Sequence, residues 1–68
     1  MKAVVLSNYK GVYMLRHIIY DIEDTDTIET IKDKYYEIYN RTDTDEFILC
    51  DTMENVNAVL SSYGIKGI

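Results

Sequence analysis

The sequence predicts a small α+β domain with the element order β-β-α-β-α and a possible last β-strand. Two observations predict it. Short apolar, β-branched runs alternate with polar turns, and the helix-start pattern Asp-Thr-x-Glu follows two of those runs. At 68 residues the chain has room for one core. We therefore expect a single domain, with an N-terminal antiparallel hairpin and two helices packed on one face of the sheet.

The first element is the hairpin. An apolar run over residues 3–6 is followed by Ser7, Asn8 and Gly11, and a longer run extends over 12–22. This spacing predicts two strands joined by a loop of roughly four or five residues. Neither face of the second strand is polar throughout, so we expect a cover on the second sheet face as well, for example a second copy of the chain. By simple alternation one face carries Val12, Met14, Arg16, Ile18 and Tyr20, and the other carries Tyr13, Leu15, His17 and Ile19.

The first helix is predicted to begin at Asp26 and to end near Asn40. Asp26 is the expected N-cap, and Glu29 completes a capping box by reaching back to the cap. At 100° per residue the apolar side chains fall within an arc of about 100°, which we expect to face the core. These side chains are Ile28, Ile31, Tyr35, Ile38 and Tyr39.

Four acidic residues of this segment fall on the opposite side of the predicted helix, namely Asp26, Glu29, Asp33 and Glu37. The last three form two consecutive like-charge i,i+4 pairs, each of which destabilises a helix by about 0.2–0.5 kcal/mol. An unfavourable arrangement of this kind indicates a basic partner surface, which the stripe would steer and orient. The alternative is a solvated face that keeps an acidic protein soluble.

The third strand and the second helix follow the polar loop after Asn40. The run 47–50 is apolar without alternation, which is typical of a strand buried on both faces and interior to the sheet. Asp51 and Glu54 then repeat the cap signal. The core-facing side chains of the second helix are expected to be Met53, Val56, Val59, Leu60 and Tyr63.

The second helix is expected to end at Gly64. With Gly64 at the position after the cap, Ile65 meets Leu60 in the contact that accompanies a Schellman ending. The tail over residues 65–68 is a possible short edge strand.

No constellation in the sequence predicts catalysis. His17 and Cys50 are the only conceivable base and nucleophile, and both lie in apolar runs where a packed imidazole and an inert thiol are the usual outcome. The acid pairs that begin at Asp24 and Asp43 lack the glycine that a calcium loop needs at its sixth position. We therefore expect no enzymatic activity, no cofactor and no metal.

The charge is distributed unevenly along the chain. The net charge is -5, yet no acid precedes Asp21 and all twelve acids lie between Asp21 and Glu54. The seven basic residues are scattered singly, which disfavours nucleic-acid binding because phosphates are held by clustered Lys and Arg. No apolar run approaches the ~18 residues of a membrane span. We expect a cytoplasmic protein with no direct nucleic-acid or membrane contact.

Seven of the eight aromatic residues are tyrosines. Tyr9 in the predicted loop and Tyr36 beside the acids are expected to be exposed, and tyrosine is enriched in protein interfaces. Partly exposed packing is the alternative for both.

These observations favour a non-catalytic acidic binding module that occupies a basic surface of a larger protein. Its candidate partner-binding residues are Asp26, Glu29, Asp33, Tyr36, Glu37 and Tyr9. The composition, poor in Ala, Pro and Gly and rich in Ile, Tyr, Asp, Thr and Asn, suggests an AT-rich genome. A short acidic single-domain chain of this kind resembles the accessory proteins of phages and mobile elements. An inhibitor of a host nucleic-acid-binding or defence protein, with the chain as a homodimer, is therefore the expected function. The alternative is a homo-oligomeric structural protein without enzymatic activity.

Overall fold

The computed structural model describes residues 1–66 and contains three strands and two helices within them. The α+β class, the antiparallel N-terminal hairpin and the order β-β-α-β-α are confirmed. Residues 65–66 of the possible last strand are not in a strand, and residues 67–68 lie outside the described residues. Neither described helix is long and apolar enough to cross a membrane. The elements are β1 (Lys2–Tyr9), β2 (Val12–Ile19), α1 (Ile28–Ile38), β3 (Asp45–Cys50) and α2 (Met53–Ser62).

The sheet has the strand order β2-β1-β3, and both neighbouring pairs are antiparallel. β1 is therefore the central strand and β3 is an edge strand, although the unbroken apolar run 47–50 had predicted an interior position. Phe47 packs in one apolar cluster and Ile48 in another. The run is apolar on both faces because each face of the sheet has its own cover, and this does not require a neighbouring strand on each side.

The two helices lie on opposite faces of the sheet, which differs from the expectation of one shared face. Residues 3–6 of β1 are fully buried. Val4 belongs to the cluster that contains Val56 of α2, whereas Ala3 belongs to the cluster that contains Ile31 of α1. Successive strand residues point to opposite faces, so α1 covers one face of the sheet and α2 covers the other. The cover that was predicted for the second face is therefore α2 rather than a second copy of the chain.

A β-bulge in β2 changes which side chains share a face. The register shifts at Arg16, which is left opposite no residue of β1. Beyond the bulge Leu15 lies in the same core cluster as Ile18, although alternation had placed them on opposite faces. A bulge inserts one residue into a ladder and so reverses the alternation that follows it.

The hairpin turn is shorter than predicted. β1 continues through Ser7 to Tyr9, and the turn consists of Lys10 and Gly11 alone, with φ values of 52° and 84°. Positive φ at both central residues defines the type I′ turn that suits the twist of a hairpin. The N–H of Gly11 also donates to Asn8 Oδ1 at 3.0 Å, which fixes the turn.

α1 begins one residue later than predicted. Thr27 is the N-cap: its hydroxyl accepts the N–H of Thr30 at 3.2 Å, and the Thr30 hydroxyl accepts the N–H of Thr27 at 2.8 Å. The predicted box had used Asp26 and Glu29. Asp and Thr are both favourable caps, and the extended backbone of Thr27 selects it as the cap.

α2 starts in the same way and ends as predicted. Its N-cap is Thr52 rather than Asp51, with the Thr52 hydroxyl accepting the N–H of Asn55 at 3.1 Å. At the other end Gly64 has a φ of 74°, and the N–H of Ile65 donates to the carbonyl oxygen of Leu60 at 2.8 Å. This bond is the long hydrogen bond of a Schellman motif.

Candidate protein-binding surface

The outer side of α1 carries three acidic residues in successive turns, Glu29, Asp33 and Glu37. All three are exposed, whereas Ile31 and Tyr35 on the inner side are buried. Residues four apart on a helix have Cβ atoms about 5–6 Å from each other. The three carboxylates therefore form one stripe, which we call the acidic face.

Neither lysine of α1 neutralises the acidic face. The ammonium of Lys34 lies 3.2 Å from Asp26 Oδ1, and that of Lys32 lies 5.6 Å from the centroid of the Phe47 ring. Within residues 1–66 the ion pairs involve other carboxylates than those of the acidic face. The repulsion between its neighbouring carboxylates is therefore not offset by an ion pair.

Asp26, predicted to share this face, is instead bound into the start of α1. Its carboxylate accepts hydrogen bonds from the N–H of Glu23 at 3.1 Å and from the Thr30 hydroxyl at 3.2 Å, besides its ion pair with Lys34. The side chain is only 12% exposed. The Glu23 hydrogen bond, together with Lys34, lowers the pKa of Asp26 below its ordinary value. The acidic face therefore consists of three carboxylates rather than four.

Tyr36, predicted to be exposed beside the acids, is instead partly buried and contacts β3. Its hydroxyl donates to Asp45 Oδ2 at 2.7 Å, and its ring packs edge-on against Phe47. The Arg41 guanidinium covers the ring at 4.5 Å from its centroid. Burial and the Asp45 hydrogen bond raise the pKa of Tyr36 to about 12.

Tyr9 lies at the hairpin turn, on a different element from the acidic face. It is the last residue of β1 and is exposed, and the ammonium of Lys10 lies 5.4 Å from its ring centroid. Of the six predicted partner-binding residues, the structure therefore brings three together, on one side of α1.

Sequence reasoning missed a buried ion pair that joins β2, α1 and β3. The side chain of Asp45 is fully buried, and its Oδ2 accepts hydrogen bonds from the Arg16 guanidinium and from Tyr36. Arg16 also donates to the backbone oxygen of Asn40 at 2.9 Å. The one available signal was an arginine in the middle of an apolar strand, where a charge needs a partner.

The structure does not bring His17 and Cys50 together. Cys50 lies in the core under α2, whereas the His17 ring lies 5.3 Å from the Tyr39 ring at the α1 side of the sheet. Burial, with a smaller effect of Asp51, raises the pKa of the Cys50 thiol. This pair therefore forms no nucleophile–base arrangement.

The second acid of each pair considered as a metal ligand is bound within the chain. Asp26 and Asp45 accept hydrogen bonds from side chains of this chain. Among residues 1–66, no group of three or more His, Cys, Asp and Glu side chains could hold a metal ion.

No protein-family model, curated protein or solved structure matches this chain. We therefore base the proposed function on the charge and exposure of the acidic face.

Proposed function

We propose that the chain is a non-catalytic acidic binding module whose acidic face occupies a basic surface of a larger protein. The observation that supports this proposal is a stripe of three exposed carboxylates that no ion pair of the described chain neutralises. Its two like-charge pairs each destabilise the helix by about 0.2–0.5 kcal/mol. A charged stripe of one sign orients a partner of the opposite sign and speeds its association.

The proposed partner is a nucleic-acid-binding or defence protein, which the chain inhibits. Proteins that bind nucleic acid expose clustered Lys and Arg because these residues neutralise phosphates. An acidic module bound to such a surface excludes nucleic acid from it. This role suits a chain of 68 residues with a net charge of -5, because short acidic single-domain chains of this kind resemble the accessory proteins of phages and mobile elements.

The test compares partner capture by three forms of the chain, each tagged and exposed to a lysate of the cell in which the protein occurs. The test variant combines Glu29→Gln, Asp33→Asn and Glu37→Gln. The matched control combines Asp21→Asn, Asp24→Asn and Asp43→Asn, which are exposed and lie outside α1. Each variant loses three negative charges. A difference in partner capture between the two variants therefore reports the position of the charges rather than the net charge.

We expect the unmodified chain and the control variant to capture the same protein, and the acidic-face variant to bind it at least about tenfold more weakly, a loss of about 1.4 kcal/mol. Binding should also weaken between about 0.1 M and about 1 M salt, because the screening length falls from about 10 Å to about 3 Å. Equal capture by all three forms, or capture that salt leaves unchanged, would overturn the proposal.

The alternative function is a homo-oligomeric structural protein, and one observation favours it. Three apolar side chains at the hairpin end of the α1 side of the sheet remain exposed, with exposed fractions of 67% for Tyr9, 62% for Val12 and 59% for Met14. A second copy that covered them would bury this surface. Light scattering tests this alternative, because a monodisperse monomer at micromolar concentration contradicts it.

A further inference from the structure

β3 offers an edge that a further strand can extend. Within the described sheet β3 pairs with β1 alone, so alternate residues of β3 direct their N–H and C=O groups away from the sheet. Its register with β1 is regular over residues 45–50, whereas the bulge at Arg16 interrupts β2 at the other edge. β3 is therefore the more regular of the two edges.

A groove of about 380 Å³ lies beside this edge, between the end of β3 and α2. This volume is within the range of about 300–1,000 Å³ that is typical of ligand sites. The strand end of the groove is lined by Leu49, Cys50 and Asp51, and the helix side by Asn55, Ala58, Val59 and Ser62.

The charges at β3 define what can bind there. Glu46 near its start and Asp51 directly after its end are both exposed acids, and Leu49 between them is 37% exposed. Burial raises the pKa of the Cys50 thiol. The residues of β3 between these two acids are uncharged, and the ammonium of Lys32 lies 5.6 Å from the Phe47 ring on the α1 side of the sheet, away from the groove. The strand is therefore acidic at both ends.

A second copy of the chain does not suit this edge. If two β3 strands formed an antiparallel pair, Glu46 of one strand would lie beside Asp51 of the other. If they paired in parallel, Glu46 would lie beside its own copy. Like charges opposite each other destabilise strand pairing, so the complementary occupant is a strand with basic ends.

We propose that the β3 edge and the groove beside it bind an extended peptide segment of a partner protein, with an apolar centre and a basic residue at each end. The segment adds to the sheet as a fourth strand and pairs its backbone with β3. Alternate side chains of the segment lie in the groove next to Ala58. The two basic ends face Glu46 and Asp51. This site is separate from the acidic face on α1.

The probe is the synthetic peptide acetyl-Lys-Val-Thr-Val-Thr-Val-Lys-amide, titrated into the full ¹⁵N-labelled chain. Two N-methylated versions, one for each alternating set of residues, test for backbone pairing, and a version with Glu at both ends tests for charge. The protein variants are Ala58→Gln, which fills the groove, and Ser61→Gln, an exposed position of α2 outside the groove lining. Circular dichroism checks that both variants fold.

We expect amide shifts confined to β3 and α2, with at least about tenfold weaker binding for one of the two N-methylated peptides and for the Glu-ended peptide. Ala58→Gln should raise Kd at least about fivefold, while Ser61→Gln leaves it within about twofold. The proposal is overturned by no binding at millimolar peptide, by equal binding of all peptides, by shifts on α1 instead, or by self-association of the free chain through β3.

Discussion

At the residue scale, Asp45 explains why Arg16 and Tyr36 take their positions. A buried carboxylate is costly unless cations and hydrogen bonds compensate it. The Arg16 guanidinium and the Tyr36 hydroxyl both reach Asp45 Oδ2, while Oδ1 is buried without a hydrogen bond in the described structure. One carboxylate thus links three elements, and each of its partners matters for stability.

Tyr36→Phe should therefore lower the free energy of unfolding by about 1.5–3 kcal/mol, because hydrogen bonds to charged groups contribute about that much. Urea denaturation measures the loss. Tyr39→Phe is the control, since Tyr39 is partly exposed at the end of α1 and its ring contacts do not use the hydroxyl. An equal effect of both substitutions would contradict the role of Asp45.

The pKa of Tyr36 also predicts a pH dependence. Its value in the folded chain, about 12, lies above the ordinary value of 10.0, so the folded chain holds the phenol proton more tightly than the unfolded chain. The associated stability is fully present below about pH 10 and is lost as the pH rises toward 12. Between pH 9 and pH 11, the free energy of unfolding measured by urea denaturation should fall less for Tyr36→Phe than for the unmodified chain.

Single side chains were the hardest features to predict from the sequence. Helical projection correctly placed Glu29, Asp33 and Glu37 on one exposed side because spacing alone sets that arrangement. It also placed Asp26 there and left Tyr36 exposed. Their hydrogen bonds depend on contacts outside the regular helix, with Glu23 and Asp45, which helical spacing does not encode.

At the element scale, both helix starts use the threonine of the Asp-Thr pair. Thr52→Ala should cost about 1 kcal/mol, since it leaves the N–H of Asn55 without its acceptor. Ser61→Ala, in the same helix and away from its start, should cost much less. Urea denaturation of both variants measures the difference, and a larger cost for Ser61→Ala would be inconsistent with Thr52 as the cap.

The existence, type and order of the elements could be predicted because each has a local signal: β-branched runs, cap residues and Gly64. The Schellman ending of α2 was correct in its details for the same reason. The bulge at Arg16 and the edge position of β3 could not be predicted, since both are set by pairing with β1. An apolar run that is covered on both faces has the same sequence pattern at the edge of a sheet as in its middle.

At the scale of the whole molecule, β1 couples the two helices because its fully buried residues belong to both cores. Leu60→Ala should lower the stability by about 2–5 kcal/mol, as large-to-small core substitutions do. Since α1 and α2 pack on the same strand, we expect hydrogen-exchange protection to fall in α1 as well as in α2. Protection that fell in α2 alone would show that the two layers unfold independently.

The central claim, that the acidic face binds a basic partner at a cost to folding, is tested most directly by Asp33→Lys. The new lysine would lie between Glu29 and Glu37 and turn two repulsive pairs into attractive ones, which should stabilise the chain by about 1 kcal/mol. The measurement combines the urea midpoint with the affinity for the captured partner, and Asp43→Lys in the loop provides the same change of charge. We expect Asp33→Lys, but not Asp43→Lys, to raise the stability and to weaken binding at least about tenfold. An unchanged affinity of Asp33→Lys would contradict the claim that the acidic face binds the partner.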